Sequence, residues 1–389
     1  MSSRIWTQFA VSAAFSFVVA TAQAANVEEH AASPSISVVD RKIAYVLTDK
    51  SLALYQSKDG KEECPDGLNN GPREEFKILY PDNGTTRKLV DTQLAYEGQV
   101  WDPIADWKPM PNKTALPFRE AKGKVAIGLN LDGKIGPNDF TGPNGEPGID
   151  NQLFRVVGCV ASHRSPDGVN VYGTIEYLRK FHYNRVIIAL TDVDSLVNDS
   201  DLAVTIYRGL DPLLSDAVGD AILPGGTQRI DYRYGKKFTK TIHGKITNGV
   251  LTTEPTDVYL PDSLDRGRPS LFVRDWRLNV KVTPDTAQGL MGGYTDIEGF
   301  QFLLARNLST HHRSYGQESI PSEYQAMRRL ADAYPDPKTG ANTAISSAWT
   351  VKFKQVFILP NSNHVAQNGA AETKSQRVAR SDASPKQYH

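Results

Sequence analysis

Trp276-Arg277-Leu278-Asn279-Val280-Lys281-Val282 is followed by Thr283-Pro284-Asp285 and then by Ala287–Tyr294. Trp276, Leu278, Val280 and Val282 alternate with Arg277, Asn279 and Lys281. Successive side chains of a strand point to opposite faces, so this is a strand with one face buried and one in water. Pro284-Asp285 turns the chain back into a second strand.

The same reading extends in both directions. Upstream, Phe238–Ile246 and Val250–Thr253 flank Asn248-Gly249, a pair suited to the tight hairpin turn that needs positive φ twice. Arg185–Val193 and Leu202–Gly209 flank the turn Asn198–Asp201, and Ile43–Tyr55 is a further strand. Lys124–Leu131 is expected to be a strand as well. Asn151–Val157 is expected to be a short helix capped by Asp150 and ended by Gly158. Downstream, Asp296 caps a helix running to about Leu308. Ser322 and Gln325 form a capping box for a second helix. Its apolar face carries Tyr324, Met327, Leu330, Ala331 and Tyr334, with Pro335 as the stop. The last strand is Ala344–Leu359, in which Ile345, Trp349, Val351 and Phe353 share a face. The alternation slips at Gln355, where a bulge is expected.

Many strands joined by turns, with no βαβ rhythm, indicate a mainly β, antiparallel fold. The expected architecture is a jelly-roll β-sandwich with a few short helices at one edge. Residues 38–360 form this β-rich region, as one domain or two subdomains.

Residues 1–24 read as a signal peptide. Arg4 starts it, Phe9–Ala20 is the apolar run, and Ala22-Gln23-Ala24 is the cleavage site. Residues 25–37 are a loose polar segment, and 361–389 a polar tail low in aromatics, expected to be disordered. The chain is therefore expected to be secreted or periplasmic, with no transmembrane segment. Export makes the two cysteines, Cys64 and Cys159, a candidate disulfide. Lys and Arg total 44 against 44 Asp and Glu. That balance argues against nucleic acid as a partner.

Gly128-Leu-Asn-Leu-Asp-Gly-Lys-Ile-Gly-Pro-Asn-Asp139 is the candidate metal site. Calcium takes six to eight oxygen ligands, and a short loop supplies them from alternate residues around a glycine. Setting Gly133 at the turn places Asn130, Asp132, the Lys134 carbonyl and Asp139 at ligand positions. The phrase resembles the loop of a dockerin or EF-hand. Gly128 stands where that family has its first acidic ligand, so Asp150 and Asn151 are the candidates to complete the set. The alternative is a pair of Asx turns, in which Asp and Asn accept from their own backbone. The whole chain resembles exported bacterial proteins with a similar Asp-Gly loop and Gly-Ile-Asp-Asn phrase.

Three further groups carry chemistry. Asp192, Asp194, Asp199 and Asp201 surround one hairpin, as a carboxylate pair or a solvated turn. His311-His312 lies near Ser314, Tyr315 and Glu318 but matches no metal or nucleophile motif. Trp101 and Trp107 are candidates to stack on sugar rings. Two functions follow. The first is an exported, calcium-stabilised, non-catalytic binding protein for an extracellular ligand such as a glycan. The second is a secreted polysaccharide-active hydrolase or lyase.

Overall fold

The computed structural model describes residues 40–69, 118–164, 185–219, 221–261, 270–301 and 320–359, with isolated positions at 71–84 and 168–180. The signal peptide 1–24, the segment 25–37, the tail 361–389, Trp101, Trp107, His311 and His312 lie outside the described residues.

The strands are β1 (Lys42–Leu52), β2 (Val186–Thr191), β3 (Asp199–Arg208), β4 (Gly226–Arg229), β5 (Lys240–Thr247), β6 (Val250–Thr253), β7 (Thr256–Pro261), β8 (Ser270–Val282), β9 (Thr286–Asp296), β10 (Ala333–Pro335) and β11 (Asn342–Leu359). Two helices, α1 (Gln152–Val157) and α2 (Ile320–Leu330), are described in full. Neighbouring strands run β1-β2-β3-β5-β6-β8-β9-β11, and β11 pairs back onto β1. The sheet thus closes into an eight-stranded antiparallel barrel with neighbours in chain order. This corrects the β-sandwich. Period-two alternation describes the wall of either architecture, and what separates them is one pairing. In that pairing Ala44 meets Val356 and Leu52 meets Trp349, partners about three hundred residues apart in sequence.

The barrel interior is apolar. Tyr45, Ile188, Val204, Leu251, Val280 and Val351 are fully buried there. The outward positions of β5, Thr241, His243 and Lys245, are exposed, as are Asn279 and Lys281 of β8. A lipid-facing barrel carries the reverse pattern. Among the described residues no helix is long and apolar enough to cross a membrane. A second apolar cluster covers part of the outer wall, where Ala44, Val46, Ile187, Ala189 and Val356 pack under Ile230.

Several local expectations change. Residues 124–131 make only the isolated bridges Val125–Thr141 and Leu129–Asp150. Asn151, not Asp150, caps α1, its side chain accepting from the Phe154 N–H. Ser322 lies inside α2, and Tyr334 stands on β10 rather than on the helix face. Asp296 does cap the helical turn at 297–301, accepting from Gly299 N at 2.7 Å. Gln355 marks no bulge, since it pairs with Tyr45 in regular register and the irregularity between β1 and β11 falls at Thr48, on β1. The slip in apolar pattern arises because Val356 is buried on the outer face. The bulge that matters is in β8, between Arg274 and Arg277. Gly293 sits across from it, where a Cβ would come within 2.6 Å of Val273 Cγ1 and 2.8 Å of the Arg274 carbonyl.

The disulfide is present. Cys64 and Cys159 are joined with a Cα–Cα distance of 5.7 Å and a sequence separation of 95. It clamps the long β1–β2 connection. Beside it, buried Glu63 receives the Arg164 guanidinium at 2.6 Å. Burial alone would raise the Glu63 pKa, but hydrogen bonds from Ser57 and Arg164 outweigh it and hold the carboxyl below its usual range.

Two stability predictions follow from this packing. Replacing both cysteines by Ala should lower unfolding free energy by about 4–5 kcal/mol, the chain-entropy value for a loop of this length. Gly293→Ala should cost about 1–3 kcal/mol through overpacking. Urea denaturation of the two variants against wild type checks both.

Candidate functional site

The acidic loop lies on the outer wall, over β9 and β11. Leu129 packs on Gly292 so closely that a Cβ there would stand 3.1 Å from Leu129 Cδ1. The Gln152 N–H donates to Ser346 Oγ at 2.8 Å. Within the loop, Gly133 has positive φ. Asn130 Oδ1 accepts from Gly133 N at 2.7 Å, and its amide donates to the Lys134 carbonyl at 2.8 Å. Asp132 Oδ1 accepts from Lys134 N at 2.8 Å, and Asp139 Oδ2 from Gly136 N at 2.5 Å. Asp150 Oδ2 reaches across to Leu131 N at 2.6 Å and Asp132 N at 3.3 Å. Asn151 is committed elsewhere. It caps α1, and its amide donates to the Ala53 and Ile127 carbonyls.

The loop therefore forms as a set of Asx turns with Asp150 bridging its two limbs. Among the described residues, no group of three or more His, Cys, Asp or Glu is arranged to hold a metal. Asp132, Asp139 and Asp150 each use one oxygen on backbone N–H groups. Burial pushes the Asp150 pKa up to about 6; the Leu131 and Asp132 N–H groups oppose this, and the charges of Asp139 and Asp132 add to it.

The four carboxylates of the β2–β3 hairpin do not act together. Buried Asp199 accepts from Asp194 N and Asp201 N, fixing the turn. Asp194 pairs with Arg41 at 2.8 Å, and Asp201 with His243 at 3.1 Å. The Asp201 and His243 side chains are both more than 70% exposed, at 76% and 72%.

A surface feature that the alternation pattern hides is a row of rings and cations across β7, β8 and β9. Its Phe272 and Arg274 members face outward because of the β8 bulge. Trp276, Leu278 and Val280 point into the barrel, and uninterrupted alternation would send Arg274 and Phe272 inward too. The extra residue at the bulge, with Asp275 at φ 49°, switches faces, so Leu271 and Val273 are buried and Phe272 and Arg274 face outward. Phe272 stacks on its cross-strand partner Tyr259 with centroids 4.7 Å apart. Lys237 Nζ lies 5.0 Å from the Tyr259 centroid and 5.5 Å from that of Phe238. Phe238 meets Tyr234 edge-on at 5.5 Å, with the Arg208 guanidinium over both rings. On the other side, Arg274 lies over Phe272 and Tyr334, and Tyr334 meets Tyr294 at 5.8 Å. Tyr234 and Tyr259 are 45% and 41% exposed. A groove of about 260 Å³ opens beside them, lined by Lys236, Lys237, Phe238, Asp257 and Tyr259.

The row ends at the acidic loop. Burial, and then the charges of Asp150, Asp332, Asp132 and Asp275, push the Tyr294 hydroxyl pKa upward. In comparisons with known proteins, no family model matches the chain, and no curated protein or solved structure is significantly similar. The barrel, its acidic loop and its aromatic row are therefore read from their own residues.

Asp150 makes a pH prediction. Its folded pKa lies above its unfolded value, so the folded state holds the proton more tightly. Its contribution to stability is largest below pH 4, falls as pH rises from about 4 to about 6, and is constant above. The loss should be about 1–3 kcal/mol for a shift of this size. Asp150→Asn should flatten that part of the pH profile. Chemical denaturation of wild type and variant between pH 4 and 7 measures the difference.

Proposed function

We propose that this chain is an exported, non-catalytic binding protein that presents its ring-and-cation row to a glycan, with calcium stabilising the 128–151 loop. The observation that carries the glycan reading is the outward, cross-strand stack of Tyr259 on Phe272 beside an open groove. Aromatic faces held rigidly by a sheet offer a flat apolar surface to the C–H face of a sugar at little entropic cost. The Cys64–Cys159 bond suits an oxidising compartment, in keeping with export.

Support for calcium comes from Asp132, Asp139 and Asp150. The charges of Asp139 and Asp132 burden the Asp150 carboxylate, and each of the three keeps an oxygen that no backbone N–H occupies. A cation there relieves the repulsion; the Lys134 carbonyl and Asn130 would complete the set once Asn130 Nδ2 turns away from that carbonyl. Asn151, tied to α1, would stay outside the set. The hydrolase or lyase reading is weaker, because Asp194, Asp199 and Asp201 are each spent on separate partners.

A glycan array probed with the full chain should give binding that Tyr259→Ala removes while leaving the melting temperature in place. Absence of binding to any glycan overturns the reading. Millimolar calcium should raise the melting temperature, since a ligand of the folded state adds about 2.7 kcal/mol at a hundred times Kd. Asp132→Ala should remove that rise, and identical melts with calcium and with chelator would leave the loop a set of turns.

A further inference from the structure

We infer that the glycan is anionic, a polysaccharide bearing carboxylate or sulfate groups, and that it lies along Tyr234, Lys237, Tyr259, Phe272 and Arg274. The inference rests on the glycan reading above and narrows it to a chemical class.

Charge is the first ground. The whole chain balances 44 basic against 44 acidic residues, yet Arg229 to Lys245 holds six Lys and Arg and a single Asp. Some of these cations are spent internally. Arg229 pairs with Asp211, and Arg208 and Arg233 pair with Asp231. Lys236, Lys237, Lys240 and Arg274 are not: among the described residues no carboxylate lies within ion-pair distance of any of them. Lys236, Lys237 and Lys240 line the groove beside the exposed Tyr259 ring, with the single carboxylate of Asp257 against their three charges, and Arg274 stands beyond it over Phe272; desolvation there is partial and an anion would be welcome.

The geometry of Lys237 is the second ground. Phe272 stacks on Tyr259, and the Lys237 ammonium stands 5.0 Å from the centroid of the same ring. A sugar stacking on Tyr259 must move that ammonium aside. A neutral sugar then forfeits the cation–π contact and gains nothing for the displaced charge. A sugar carrying a carboxylate or sulfate receives the ammonium in a charge-assisted hydrogen bond, which is stronger than the contact it replaces. Arg274 can do the same from the far side, since its planar fork suits a carboxylate or sulfate. Beyond Arg274 the field reverses, because Asp275 and the acidic loop lie at the Tyr294 end. The anion is thus confined to the stretch from Tyr234 to Arg274.

The test is calorimetry on the full chain with polygalacturonate, a sulfated galactan, neutral dextran and single-stranded DNA. Each is titrated at low salt and at about 0.3 M salt, where exposed charges more than about 6 Å apart are screened. The acidic polysaccharides should bind and dextran should not. Affinity should fall at least tenfold both in high salt and in the Lys236→Gln/Lys237→Gln variant, whose melting temperature should match wild type. Binding of dextran that Tyr259→Ala removes, but that salt and the lysine variant leave unchanged, would overturn the anionic class and keep the glycan reading. Binding of none of the polysaccharides overturns both. DNA binding as tight as polygalacturonate, with the same lysine dependence, would mean a general polyanion surface and also overturn the inference.

Discussion

The pairing of β1 with β11 is the contact on which the rest of the molecule depends. β1 is the only stave that precedes the long clamped connection, and its residues 43–46 pair with β2 on one edge and lie against β11 on the other. A strand paired on both edges has no unsatisfied backbone row to expose. Its side chains are then buried on both faces: Ile43, Tyr45 and Leu47 in the barrel, Ala44 and Val46 beneath Ile230. Without this closure, β2 and β11 would each become an open edge, and the interior would be wet along a whole seam. Closure also brings distant sequence together, since Ala53 N donates to the Ala348 carbonyl and Asn151 donates to the Ala53 carbonyl. The acidic loop is therefore seated by the same seam that shuts the barrel.

The β8 bulge is the second constraint, and it converts core pattern into surface chemistry. One extra residue inverts which side chains face water, so Phe272 and Arg274 join Tyr259 and Tyr294 outside. Gly293 permits the inversion, because the bulged backbone occupies the space of its missing side chain. The Tyr334 hydroxyl, on β10, then donates to Asp275 at 2.6 Å, tying down the positive-φ residue from outside the β8 pairing. Strain at one residue is thus offset by a hydrogen bond and by the burial of Leu271 and Val273.

The local elements were legible where period and turn chemistry speak strongly. The β5–β6 hairpin at Asn248-Gly249 and the β8–β9 hairpin at Pro284-Asp285 follow directly from the sequence, with both Asn248 and Gly249 at positive φ. With only two cysteines in the chain, a disulfide has one possible intramolecular pairing, Cys64 with Cys159. Sandwich and barrel, however, share one alternation, and closure depends on contacts between residues about three hundred apart. The Gln355 slip misleads because burial on two faces mimics a bulge, whereas the true bulge, at Asp275-Trp276, goes unnoticed because Leu271-Phe272-Val273 before it are all apolar and show no alternation. Net charge misleads similarly. A sum of zero conceals a basic run and an acidic loop that the fold places at opposite ends of one row.

That polarity gives the site a direction. From Tyr234 to Arg274 the surface alternates rings with cations, and from Asp275 onward it meets the carboxylates of Asp132 and Asp150. An anionic polymer lying along the row would be drawn toward the cationic end and repelled at the acidic one. A cation held in the loop would weaken that repulsion and lengthen the usable surface toward Tyr294. The disulfide and the Glu63–Arg164 pair tie down the connection that carries the loop. In this arrangement the barrel acts as a rigid rule. Its closure fixes the spacing, its single bulge turns the rings outward, and the two charged ends decide what can lie between them.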